Sequence, residues 1–215
     1  MNFRKLIAEF IGTFFLTLTV CMTSYAKVSA DLQPLAIGVV LVGLIYAGGY
    51  ISGAIFNPAV TLAIFLRGRL NIKEASTYIV AQFLGSIAAA LLTMVLTSAK
   101  PIVLPIAAPP QYFGIMPAVL AEILGAFALV WVVLNVATSK STEGNSHYGI
   151  SIGLTLAGLI FTLGSVSGSV FNPAVSVATD IAQLGNWANL WIYLVGSFSG
   201  AALAAIVFKY INHEE

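Results

Sequence analysis

The chain spells nearly the same nine residues twice. Residues 52–60 read SGAIFNPAV and residues 167–175 read SGSVFNPAV, 115 positions apart. In each copy a long apolar run ends at Ser-Gly, and Asn-Pro-Ala then heads a further, shorter apolar piece. Proline suits the first helical position, because its missing N–H would have no partner there and its φ is preset. Asparagine just before it is a strong N-cap. Asn57-Pro58-Ala59 and Asn172-Pro173-Ala174 are therefore predicted to start helices over about 57–66 and 172–182. Ten helical residues reach about 15 Å, half of a ~30 Å bilayer core.

Composition makes the bilayer the relevant solvent. Of 215 residues, 59% are hydrophobic and only 8% charged, against about 25% charged in a soluble domain. Six stretches are long and apolar enough to span: roughly 6–26, 34–51, 77–99, 116–138, 147–165 and 190–211. The net charge of +1 supplies no basic face for nucleic acid. The single cysteine, Cys21, excludes an internal disulfide and reads as a small packing residue. AEFIGTFFL at 8–16 returns as AEILGAFAL at 121–129, so the N-terminal segment reads as a permanent span and not as a cleaved signal.

The halves match at other points. Ile37-Gly38 recurs as Ile152-Gly153, and Tyr78 as Tyr193, at the same offset of 115. Each half carries three spans and one half-span. Three is odd, so the second copy enters the membrane from the opposite side, giving an inverted repeat. The predicted fold is an all-α membrane protein with six transmembrane helices and two re-entrant half-helices in one channel domain, 1–215. Its first repeat is 1–105 and its second 106–215, divided in the Pro-rich stretch 101–117. Arg4, Lys5, Arg67, Arg69, Lys73, Lys140 and Lys209 fall on one side and Lys27 and Lys100 on the other, which predicts cytoplasmic termini.

Two Ser-Gly loops descending from opposite faces would meet near the midplane. Non-helical backbone is tolerated at that depth only inside protein or against water. Loop carbonyls would offer acceptors, the two Asn amides donors, and the two facing helix N-termini about +0.5 charge each. Cations and protons would meet a barrier there, while neutral hydrogen-bonding molecules could exchange partners and pass.

These residues resemble the aquaporin, or major intrinsic protein, family. The likeness runs through Ala8-Glu9, Ala121-Glu122, SGAIFNPAVT at 52–61, AQFLG at 81–85 and SGSVFNPAV at 167–175. It implies a passive pore per subunit, usually in a homotetramer, for water or for small neutral solutes such as glycerol, urea or metalloid hydroxides of the arsenite type. It implies a constriction at Ile37, Ile160, Ser169 and Val175. It makes Glu9 and Glu122 the acceptors that pin the re-entrant loops, with Gln82 assisting. Where family members carry Arg after the second Asn-Pro-Ala, this chain has Val175, and no arginine follows Arg69. Asp, which glycerol channels of the family often place next, is replaced by Ser176. Two isoleucines, a serine and a valine predict an apolar ring, wider than one filled by Arg, that passes neutral solutes as well as water. A strictly water-selective pore is the alternative.

Carboxylates inside spans also suit a proton-coupled transporter, with Glu9 and Glu122 as relays. A membrane scaffold is a third class, disfavoured by the compact loops. Asp180 reads as a solvated carboxylate near the outer mouth, with drawing polar solutes as its functional option. His147 reads as an interfacial histidine with a pH gate as its option, and His213 as part of a polar tail. Trp131, Trp187 and Trp191 read as interface anchors. Gly12, Gly38, Gly85, Gly125, Gly153 and Gly200 read as helix-crossing residues. No enzyme constellation, cofactor or metal set is predicted, the partners are lipid, other subunits and small solutes, and the expected location is a bacterial inner (plasma) membrane.

Overall fold

A computed structural model describes residues 2–25, 32–98 and 113–212. Among these residues are eight α-helices, α1 (Phe3–Tyr25), α2 (Gln33–Ser52), α3 (Pro58–Leu66), α4 (Ile72–Leu96), α5 (Ile115–Thr138), α6 (Tyr148–Ser167), α7 (Pro173–Ile181) and α8 (Leu190–Ile211), and two short 3-10 turns, Lys140–Thr142 and Trp187–Asn189. Six are long and apolar enough to cross a membrane. The two short ones, α3 and α7, begin at the prolines of the doubled motif. Lys27, Lys100, His213 and the 105/106 division lie outside the described residues.

Packing follows the repeat. The helix α1 lies against α4 as α5 lies against α8, and α2 crosses α6 between the halves. Each half-helix also packs on the last spanning helix of the other half, α3 on α8 and α7 on α4. Glycine sets these approaches. A Cβ on Gly85 would sit 2.4 Å from the Phe10 carbonyl oxygen, and one on Gly200 would sit 2.3 Å from that of Ile123. Gly38 and Gly153 meet where α2 crosses α6, and a Cβ on either would sit 2.5 Å from the other's carbonyl oxygen. Large apolar side chains such as Phe15, Val39, Leu84, Val95 and Leu124 are exposed outward, as lipid-facing surface requires.

Some expectations shift. The helix α4 starts at Ile72, five residues before the predicted 77, because Asn71 and Glu74 close a capping box that draws Lys73 and Glu74 into the first turn. Trp131 is no interface anchor: it lies mid-helix in α5, stacked on Phe127. Trp187 and Trp191 are exposed where α8 begins, as an interface belt would have them. Asp180 is not solvated. It is 5% exposed at the end of α7, and its Oδ2 has no hydrogen-bond partner among the described residues.

Candidate functional site

The doubled motif caps its helices as its chemistry requires. Asn57 is extended (φ −154, ψ 119), and its Oδ1 accepts from the backbone N–H of Ala59 at 2.9 Å and Val60 at 3.4 Å. Asn172 (φ −146, ψ 108) does the same for Ala174 at 3.1 Å and Val175 at 3.4 Å. The remaining half of each amide reaches across the molecule. Asn57 Nδ2 donates to the Phe171 carbonyl at 2.9 Å, and Asn172 Nδ2 donates to the Phe56 carbonyl at 3.0 Å. The two loops are clamped tip to tip by this exchange. One N–H of each amide is spent on the clamp, leaving one unspent.

Each loop is held from behind by a carboxylate. Glu9 Oε1 accepts from Ser52 Oγ (2.6 Å) and the Ile55 N–H (3.0 Å), while Oε2 accepts from the Phe56 N–H (2.8 Å) and Gln82 Nε2 (2.8 Å). Glu122 repeats this on the second loop with Ser167 Oγ (2.7 Å), Val170 N–H (3.0 Å) and Phe171 N–H (2.8 Å). Gln82 also meets the Thr61 hydroxyl at 2.9 Å. Both glutamates are fully buried. Charge-assisted bonds of this kind are the strong ones, and a buried carboxylate needs them.

That anchoring sustains an unusual backbone. Ala54, Phe56, Ser169 and Phe171 all have φ near +50, a region costly for residues other than glycine. The rings of Phe56 and Phe171 fill the space that Gly12 and Gly125 leave, where a Cβ would lie 2.1 and 2.0 Å from ring carbons. Tyr78 and Tyr193 donate to the Ser52 and Ser167 carbonyls at 3.0 and 2.9 Å. With the N–H groups of residues 53–56 and 168–171 turned to the scaffold, the carbonyls of Gly53, Ala54, Ile55, Gly168, Ser169 and Val170 have no protein donor among the described residues.

A cavity of about 960 Å³ runs along both loops. It takes in Asn57 and Asn172 and continues from Gln33 and Ile37 at one end to Arg69, Lys140 and Glu143 at the other. Ile37, Ile160, Ser169 and Val175 all line it, toward the Gln33 end. Opposite the loops its wall is apolar, built from Leu16, Leu41, Val60, Leu129 and Leu156. Glu9, Glu122 and Gln82 stand behind the loops and do not line it. The arrangement offers an acceptor row, two amide donors at the crossing and two helix N-termini aimed at the same spot. Sequence reasoning matched Tyr78 with Tyr193 but gave them no task, and it overlooked Ser52 and Ser167 as loop ties. The tyrosine pair at the common offset of 115 was the available signal.

No group of three His, Cys, Asp or Glu residues fit to hold a metal occurs among the described residues. His147 is exposed and precedes α6 without a side-chain capping bond.

Comparison with known proteins agrees with this geometry. The major intrinsic protein family matches residues 1–208. A probable aquaporin of NIP type from Nicotiana alata is 34% identical, covering 97% of this chain and 78% of its own. Glycerol uptake facilitator protein-like 6 from Lactiplantibacillus plantarum is also 34% identical, covering 99% and 100%. Aquaporin AqpM from Methanothermobacter thermautotrophicus is 33% identical over 98% of each. The X-ray structure of the aquaglyceroporin from Plasmodium falciparum shares the fold with a TM-score of 0.86, over 100% of this chain and 98% of that one, at 19% identity. The chain belongs to the major intrinsic protein family of integral membrane channels.

Proposed function

We propose that this channel conducts water together with small uncharged solutes, among them glycerol, urea and metalloid hydroxides such as arsenite, while excluding protons and cations. The observation that carries the reading is the continuous cavity past both asparagines with Ile37, Ile160, Ser169 and Val175 on its wall. These four form its constriction. A ring with Val175 in place of Arg lacks the guanidinium's bulk, fixed charge and up to five donors, which favours a wider, neutral-solute pore. One relative is named a glycerol uptake facilitator, which agrees with this.

Cation exclusion rests on the crossing. Each half-helix N-terminus contributes roughly +0.5 charge, and both point at the same stretch of the passage. A water molecule accepting the unspent N–H of Asn57 and of Asn172 has both lone pairs occupied and cannot take a proton from its neighbour.

The proton-coupled reading loses support because Glu9 and Glu122 do not touch the cavity and all their oxygens accept from the loops they hold. Four subunits assemble, both termini face the cytoplasm as the Lys and Arg distribution favours, and the compact connections suit a bacterial plasma membrane.

The test is a swelling and shrinkage series in proteoliposomes with water, glycerol, urea and arsenite, for wild type and Val175→Arg. Wild type is expected to pass all four above protein-free vesicles, and Val175→Arg to lose most glycerol and arsenite flux, about tenfold or more. Water flux alone in the wild type would instead establish the strictly water-selective alternative. Saturating uptake driven by a proton gradient would establish the transporter.

A further inference from the structure

Counting hydrogen-bonding groups along the passage exposes an imbalance. On the Asn172 side, the carbonyls of Gly168, Ser169 and Val170 have no protein donor among the described residues, and these residues line the cavity. The backbone N–H groups of these three residues and of Phe171 are consumed. Gly168 N–H goes to the Gly164 carbonyl, Ser169 N–H to Ser167 Oγ at 3.0 Å, and those of Val170 and Phe171 to Glu122. At the entrance, Gln33 Nε2 donates to Ser24 Oγ at 2.8 Å and Thr23 Oγ1 at 3.2 Å, so its amide protons are spent as well. Ile37, Ile160, Leu16, Leu41, Leu156 and Val175 add no polar atom on the facing side. Between the entrance and Asn172, the only cavity-lining side-chain donor left among the described residues is the Ser169 hydroxyl, which itself donates to the Leu159 carbonyl at 3.4 Å.

We propose that this acceptor-rich stretch sorts solutes by the number of hydrogen bonds they can donate, so that among neutral molecules of one size and shape, donor-rich ones pass and acceptor-only ones are held back. The inference rests on the pore reading above and sharpens it to a chemical class: molecules bearing several N–H or O–H groups. The cause is desolvation. A solute entering the stretch displaces the waters that satisfy the three carbonyls. One that donates replaces those bonds. One that only accepts leaves the carbonyls unpaired and gives up its own water bonds too, because nothing opposite can donate to it. An Arg at position 175 would have supplied that missing donor, so Val175 is the residue on which the imbalance turns.

Three isosteric probes isolate donor number from size: sulfamide, methanesulfonamide and dimethyl sulfone. They share one tetrahedral sulfonyl frame and carry four, two and no N–H donors. Bare lipid orders them the opposite way, because each added donor costs more to strip of water. Stopped-flow light scattering on proteoliposomes, with protein-free vesicles subtracted and with water and glycerol run alongside, gives the protein's share of each flux. The expected order is sulfamide, then methanesulfonamide, then dimethyl sulfone, with sulfamide about tenfold or more above the sulfone. Val175→Asn introduces amide donors without added bulk and is expected to lower that ratio several-fold.

Equal rates, or a faster sulfone, with glycerol still passing would overturn the donor rule while leaving the pore intact. So would exclusion of sulfamide by a channel that admits glycerol, and so would an undiminished ratio in a folded Val175→Asn. Absence of protein-dependent water and glycerol flux would remove the pore reading and this inference with it. The wild-type series decides the matter without the variant if that fails to fold.

Discussion

The two halves of the molecule agree to within about a tenth of an ångström where the loops are tied and part company one helix turn away. Ser, two loop N–H groups and a Tyr hold each loop at 2.6, 3.0, 2.8 and 3.0 Å in the first half and at 2.7, 3.0, 2.8 and 2.9 Å in the second. One turn beyond Tyr78 the first half adds Gln82, a further donor to Glu9. One turn beyond Tyr193 the second half has Ser197, buried, with a hydroxyl that finds no partner among the described residues. The ends of the half-helices differ too. Past α3, the Arg67 guanidinium lies over the Phe208 ring at 4.6 Å and Lys209 Nζ donates to the Leu66 carbonyl at 3.4 Å, cations where a helix C-terminus favours them. The end of α7 carries buried Asp180 instead, the sign a helix C-terminus disfavours. Identity is held where backbone faces the passage. Behind it, each half reaches a stable arrangement from different side chains.

The largest expected effect comes from breaking the ties that agree. Glu9→Gln sets an amide NH₂ against groups that are themselves donors, and whichever way it turns, a loop N–H loses its acceptor. Leaving such groups buried and unpaired costs about 3–5 kcal/mol. Glu122→Gln meets one donor fewer and should cost less. The thermal midpoint of each variant in one detergent checks the order. Equal losses would mean that the fourth donor on Glu9 contributes nothing and that the halves are tied alike, and a larger loss at Glu122 would overturn the order.

Below that come the glycines. Gly85→Ala and Gly200→Ala both press a methyl into a backbone carbonyl, at 2.4 and 2.3 Å. Backbone cannot step aside as a side chain can, so each is expected to cost about 1–3 kcal/mol and the two to match within experimental scatter. Unequal losses would show that α1 on α4 and α5 on α8 are not mechanically equivalent despite their common geometry.

Most of this architecture is legible in the residues, and what is not has a physical reason. The caps at Asn57 and Asn172 are local chemistry and follow from three letters each. The six spans follow from apolar length, and the inverted arrangement from an odd number of them. The start of α4 is also legible in Asn71 and Glu74, although Lys73 counts as a loop charge when apolar length alone sets the span. The crossed Asn-to-carbonyl bonds join residues 114 and 116 positions apart, so no local rule announces them. Positive φ at Ala54 and Phe56 runs against residue preference and exists because Glu9 grips the N–H groups on either side. Asp180 is buried because the chain turns back over it at Gly185, where a Cβ would stand 2.0 Å from Oδ1. Nothing in the neighbouring letters signals that a carboxylate will be enclosed. Trp131 reads as an anchor from composition alone and becomes a packing residue only once its mid-helix position and its stack on Phe127 are known.

The last pair sets the smallest expected effect, at Ser197, against a sizeable one at Gln82. Gln82→Ala removes the donor to Glu9 Oε2 at 2.8 Å and the contact with Thr61 at 2.9 Å, and it opens a void behind the first loop. About 2–3 kcal/mol should be lost. Ser197→Ala, at the equivalent place 115 residues on, removes a hydroxyl that is fully buried and bonded to nothing among the described residues. Deleting an unpaired buried polar atom recovers its desolvation cost, so the change should stay within about 0.5 kcal/mol of neutral or stabilise slightly. Thermal midpoints of the two variants, in the same detergent as wild type, separate the outcomes. Equal losses would mean that Ser197 is satisfied after all, by a water seated where the longer glutamine lies in the first half. In that case the second loop would hold a fourth donor through that water, and the difference between the halves would be one of material and not of strength.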